Sequence, residues 1–137
     1  MQRLICAAIG LLATAALPAL AANLRQAPPA EPYRKLSDLA GGPEFMPGIG
    51  TLYVDPATLP DGPYLAYDRR GKLASTIYMV PINDFEFHKR LGNLKAPGGE
   101  VDHVDIYYET GHPGLREPHY HIVLWHVPKA DEALVSR

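Results

Sequence analysis

Apolar and polar positions alternate most regularly over residues 101–127, VDHVDIYYETGHPGLREPHYHIVLWHV. In an extended segment from 101 to 109, Val104, Ile106 and Tyr108 share one face, and His103, Asp105, Tyr107 and Glu109 share the other. Residues 119–127 divide the same way: Tyr120, Ile122 and Leu124 make an apolar row, with His119, His121, Val123 and Trp125 opposite. The connection carries Gly111, Pro113 and Gly114, residues that end strands and permit tight reversals. The pattern predicts an antiparallel hairpin with apolar row beside apolar row, and it leaves the register open by steps of two residues.

The same period predicts shorter strands at 51–55, 64–68 and 72–80, the last two joined by the turn sequence Asp68-Arg69-Arg70-Gly71. Asn83 or Asp84 can cap a helix that reaches about Leu91 and stops at Gly92, and residues 35–40 form a turn or two of helix before Gly41-Gly42. Five or so short strands with one dependable helix leave no room for parallel crossovers. The expected class is α+β, mainly β: a small antiparallel sheet with a short helix on it. Its expected core is Tyr53, Leu65, Ile77, Met79, Val104, Ile106, Tyr120, Ile122 and Leu124.

Composition divides the 137 residues into parts. Residues 1–21 have a short basic start, an apolar run and the small-residue ending Ala19-Leu20-Ala21, the pattern of a secretory signal peptide cut near Ala21. Residues 22–50 read as a Pro/Gly-rich tail and loop, 51–128 as a single domain and 129–137 as a terminal tail. Cys6, the one cysteine, falls in the leader, so the exported chain has no thiol for a disulfide or a metal. The expected location is periplasmic or secreted. With 15 Asp and Glu against 13 Lys and Arg, one of which is Arg3, the exported chain is mildly acidic. It has no basic stripe for nucleic acid and no polybasic patch for a membrane surface.

Five of the six histidines lie in residues 101–127. Imidazole is a common ligand for zinc and copper, and a carboxylate can complete the set. Paired strands would bring His103, Asp105, His119 and His121 to one face, where alternate positions lie about 6–7 Å apart. These four are the expected ligands of a divalent ion, Zn²⁺ or Cu²⁺. His112, Tyr107, Glu109 and His88 are further candidates, as ligands or as groups that orient an imidazole. His126 is expected to be structural, and His88 to pair with Asp84 on the helix surface. Two other readings use the same residues: a metal-dependent enzyme with two histidines and one carboxylate, and a module with no metal whose histidines and tyrosines form an assembly or small-ligand surface. A homo-oligomer is compatible with each.

VDHVDIYYETGHPG followed by EPHYHIVLW resembles the signature of a family of small exported bacterial proteins of unknown function. The resemblance spans about residues 50–127 and implies export and a shared histidine-rich strand pair, with no activity to carry over. The cupin metal motif, His-x-His with a later Glu, is not matched, because no Glu follows His121 at a suitable distance.

Overall fold

The structure is a computed structural model that describes residues 24–86 and 90–136. In chain order the strands are β1 (Arg34–Lys35), β2 (Thr51–Val54), β3 (Tyr64–Tyr67), β4 (Leu73–Pro81), β5 (His103–Glu109) and β6 (His119–Trp125). Helix α1 (Leu36–Ala40) follows β1, α2 (Ile82–Glu86) follows β4, and 3-10 turns occupy Pro56–Thr58 and Lys129–Val135. The strands form one six-stranded antiparallel sheet in the order β1-β2-β3-β4-β6-β5. The class is as expected, with one strand more than the apolar pattern indicates: β1 has only two residues, too few to show a period.

Short-range chemistry accounts for several boundaries. Gly41 closes α1 at φ 73, returning its N–H to the Ser37 carbonyl, a backbone geometry that glycine adopts without steric penalty. Asp68 organises the β3–β4 turn by accepting from the N–H groups of Arg70 and Lys72. The second hairpin has no slack: Tyr107 lies opposite His121, Asp105 opposite Val123 and His103 opposite Trp125.

β3 and β4 are buried along their whole length because the sheet is covered on both sides there. On one side Leu36, Leu115 and Val135 pack with Leu52, Ile77, Met79, Val123 and Trp125. On the other, Leu24 joins Tyr53, Leu65, Tyr67 and Leu73, with Ala27 and Tyr33 against them. The described part of the expected N-terminal tail is therefore part of the fold. Tyr67 Oη donates to the Leu24 carbonyl, and the backbone of Arg25 and Ala27 bonds to Leu73 and Gly71.

The expected core needs one correction. Tyr53, Leu65, Ile77 and Met79 are buried, but Val104, Ile106 and Tyr120 are exposed, and Ile122 and Leu124 are only half covered. The buried face of β6 is the one bearing His119, His121, Val123 and Trp125. The reason is coverage. The 110–118 connection and the 129–135 turn place Leu115 and Val135 over that side, whereas the outer side is covered in part, by α2, where Phe85 meets Tyr120 edge-on, and by the loop after it, where the Lys95 backbone bonds the Tyr78 hydroxyl. Helix α2 is described over Ile82–Glu86; residues 87–89, including His88, lie outside the described residues, and residues 90 and 91, where the helix is expected to end, are not helical.

An Ile77→Ala change in β4 removes a side chain that is fully inside this core. It is expected to cost about 2–5 kcal/mol, seen as a lower urea midpoint at unchanged slope.

Candidate metal centre

The β5–β6 connection folds back on itself before the chain re-enters the sheet. His112 N–H donates to the Leu115 carbonyl (2.9 Å) and Leu115 N–H donates to the His112 carbonyl (3.1 Å). Leu115 is buried in the main core and anchors the turn. Gly111 is required beside it. Its φ is +123°, and a Cβ there would sit 2.4 Å from the Arg116 carbonyl oxygen. The turn holds the His112 ring over the inner face of β6, where alternation has already placed His119 and His121 side by side.

Three imidazoles converge. The Nε2 atoms are 2.9 Å apart for His119 and His121, 3.2 Å for His119 and His112, and 3.3 Å for His112 and His121. Three nitrogens each about 2.0–2.1 Å from one ion stand about 2.9 Å apart at right angles and about 3.3 Å apart at the tetrahedral angle. The observed triangle lies between these limits. His119 and His121 are 0% exposed and His112 is partly open, so any approach to the centre is from the side of His112.

The far side of each ring fixes its protons. His119 Nδ1 lies 2.6 Å from the Glu117 carbonyl and His112 Nδ1 lies 3.0 Å from the Pro113 carbonyl. Carbonyl oxygens only accept, so both Nδ1 atoms carry hydrogen, and the neutral form of each ring presents a lone pair at Nε2. His121 Nδ1 is 3.0 Å from the Tyr107 hydroxyl, which can accept in the same way. Burial first, and then the neighbouring His119 and His112, push the His121 pKa down to about 3, so this ring is neutral at ordinary pH. Burial, with Glu109 and Asp105 nearby, pushes Tyr107 up to about 12 and keeps its phenol protonated. Neutral imidazoles oriented by oxygen acceptors at the second nitrogen are what divalent transition metals require.

The four expected ligands are not brought together. His119 and His121 meet His112, while His103 and Asp105 join Glu132 in a separate group. The register is the cause. His103 is four residues before Tyr107, the residue level with His121, which is about 13 Å along a strand. Asp105 lies opposite Val123 and is bonded by Trp125 and Lys129, and Tyr107 occupies the position beside His121 that a two-residue slip would have given to Asp105. Glu109 lies level with His119. His126 donates or accepts at Thr76 Oγ1 and bonds the Glu100 carbonyl, away from the three rings.

The second group is an ion-pair network. His103 bonds Asp102 through Nδ1 and Glu132 through Nε2, and its ring stacks on Trp125. Asp105 accepts from Trp125 Nε1 (3.0 Å) and Lys129 Nζ (3.3 Å), and Lys129 also reaches Glu132 at 3.0 Å. The Trp125 N–H, with help from Lys129 and His103, holds the Asp105 carboxyl below its ordinary range. Lys129 already supplies the cation here. The network ties the 129–135 turn to β5.

The sequence pattern ranks His112 below the strand histidines because a loop residue has no period to place it. The clue it offers is the pair of glycines around His112, which marks a constrained turn.

Two outcomes follow from these contacts. Hydrogen bonds from Glu132 first, and Asp102 second, raise the His103 pKa above the ordinary 6.5. The unfolded chain loses that proton near pH 6.5, so the stabilisation is complete below that pH and is lost as pH rises through the higher folded value. An NMR titration is expected to show His103 titrating above 6.5 and returning toward 6.5 in Glu132→Gln. Separately, Gly111→Ala is expected to displace His112 and weaken binding of Zn²⁺ or Cu²⁺ at least about 10-fold, the scale set by losing support around a ligand. The far-ultraviolet circular dichroism spectrum should be unchanged.

No family model matches the chain, and no curated protein is similar to it. Among solved structures it is similar to the hypothetical protein TTHB210 from Thermus thermophilus, with 40% sequence identity and a TM-score of 0.62. The match covers 69% of this chain and 94% of that one. At that identity, over nearly the whole length of its relative, the chain belongs to the same family as the hypothetical protein TTHB210.

Proposed function

We propose that the protein is an exported metal-binding domain that holds one divalent ion, Zn²⁺ or Cu²⁺, on the Nε2 atoms of His112, His119 and His121. One observation carries the reading. Two of these rings are committed by carbonyl acceptors to point lone pairs at a shared position, and their Nε2 atoms stand only 3.2 Å apart. Two lone pairs at that distance repel unless a cation lies between them. One proton held between two of the Nε2 atoms would relieve one of the three contacts and leave two, whereas a metal ion would relieve all three.

The donor set bears on the choice of ion. Three imidazoles with no thiolate suit Zn²⁺ and Cu²⁺ better than Cu⁺, which prefers sulfur. Three protein ligands leave at least one position of a four-coordinate ion for water or an incoming donor. Tyr107 orients His121 from outside the coordination sphere. Export rests on the leader pattern of residues 1–21 and on the resemblance of the 101–127 motif to small exported bacterial proteins.

Isothermal titration with Zn²⁺ and with Cu²⁺, on protein made without a histidine tag, is expected to give one ion per chain. His112→Ala, His119→Ala and His121→Ala should each weaken it about 100-fold or more, and Tyr107→Phe about 10-fold. His103→Ala should leave it unchanged. Stoichiometric binding that survives His119→Ala, or that is lost in His103→Ala, would refute this assignment.

A further inference from the structure

His119 and His121 are 0% exposed, so an ion reaches their Nε2 atoms only if something above them moves. What lies above them is the 112–115 turn, which holds the His112 ring against both. The turn is closed on itself. Its two backbone bonds join His112 to Leu115, and the His112 ring bonds the Pro113 carbonyl, so the ring travels with the backbone that carries it. Its hold on the rest of the chain is lighter. Of residues 113–118 only Leu115 is buried, in the main core. Beside it, Pro113 lies over Gly42 and Gly114 lies near Leu36, both van der Waals contacts. The two ends of the turn meet at a narrow neck, where Gly111 packs directly on the Arg116 carbonyl. A segment bonded within itself and packed lightly on its surroundings opens as a unit, pivoting on the residues at its ends.

We infer that the 112–115 turn is a clasp. It lifts about the Gly111–Arg116 neck to admit a divalent ion onto His119 and His121, and it closes to bring His112 as the third ligand. The inference rests on the three-histidine reading and adds to it an order of events: the strand ligands bind first and His112 last, and release runs in reverse. Lifting withdraws one buried side chain, Leu115, and leaves both backbone bonds of the turn intact, because they run within it. Swinging the His112 side chain alone would instead break its bond to the Pro113 carbonyl. A clasp fastened to its surroundings therefore gives the ion no way in and no way out.

The chain beginning at Ala22 contains every described element and no cysteine, so a disulfide lock can be added without competition. A Cβ on Gly42 would lie 3.4 Å from Pro113 Cβ, close to the separation of about 3.5–4.5 Å that a disulfide spans. Gly42→Cys combined with Pro113→Cys and oxidised would fasten the turn to the loop after α1 while keeping the carbonyl that orients His112. The control is the same protein reduced and alkylated, so that no thiol competes for zinc. Entry of Zn²⁺, and its release to an excess of chromophoric chelator, are followed by stopped flow. Both rates are expected to fall at least about 10-fold in the oxidised protein, because closure gates exchange. Leu115→Ala needs no disulfide. Loss of its buried anchor should raise entry and release together, each at least about 10-fold, whereas a turn that only positions His112 would raise release alone. Equal rates in the oxidised and alkylated proteins, both binding Zn²⁺, would overturn the clasp, as would faster release without faster entry in Leu115→Ala. A parent chain that takes up no Zn²⁺ would refute the three-histidine site itself, and the clasp with it.

Discussion

The centre of this protein is decided by two backbone oxygens. Glu117 and Pro113 offer carbonyls to the Nδ1 atoms of His119 and His112, and a carbonyl has nothing to donate. That choice fixes the tautomer of both rings and aims both Nε2 lone pairs inward. The turn held by Leu115 and permitted by Gly111 adds distance to direction, closing the gap between the rings to the span of a coordination polyhedron. Burial of His119 and His121 removes the water that would otherwise satisfy the lone pairs. The Nε2 atoms then have only one another as neighbours, an arrangement that a cation would complete.

A comparison inside the same molecule separates the candidate metal centre from an ion-paired histidine. His103 is also surrounded by potential ligands, yet each of its nitrogens meets a carboxylate, and Lys129 stands between the acids. Opposite charges there neutralise one another, and His103 is pushed toward its protonated form. Around His121 no carboxylate bonds the rings, the neighbours are two other imidazoles, and the shift is toward the neutral form. Residue counts near the two sites are alike, and the protonation they favour is opposite.

Alternation along the chain identified both strands of the second hairpin and sorted their side chains into two rows, and those rows are present. It could not say which row turns inward. A period of two carries parity and no sign, and the ordinary rule that the more apolar row is buried fails here. Tyr120 and Ile106 face outward while His119 and His121 are enclosed. The sign was set by where Leu115, Val135 and α2 land, which is tertiary information. Register was equally out of reach, and with it the separation of His103 and Asp105 from the other histidines. Local signals fared better. Gly41 ended a helix, Asp68 to Gly71 made a turn, and the glycines around His112 marked the loop that supplies the third ring.

The inward histidines and the outward apolar row are two sides of one constraint. With period two, enclosing His119 and His121 turns Tyr120, Ile122 and Leu124 outward, and the paired register carries Val104, Ile106 and Tyr108 with them. An outer apolar surface is thus the geometrical consequence of placing imidazoles in the core, whatever its later use. β5 bears the load on both sides. Its inner Tyr107 orients His121, and at its other end Asp105 and His103 grip Trp125, Lys129 and Glu132. An edge strand has only one neighbour to hold it in place, and these side-chain contacts supply the restraint that a second neighbour would give. Anything that stiffens β5 from outside also stiffens Tyr107, and through it the ring whose direction completes the centre.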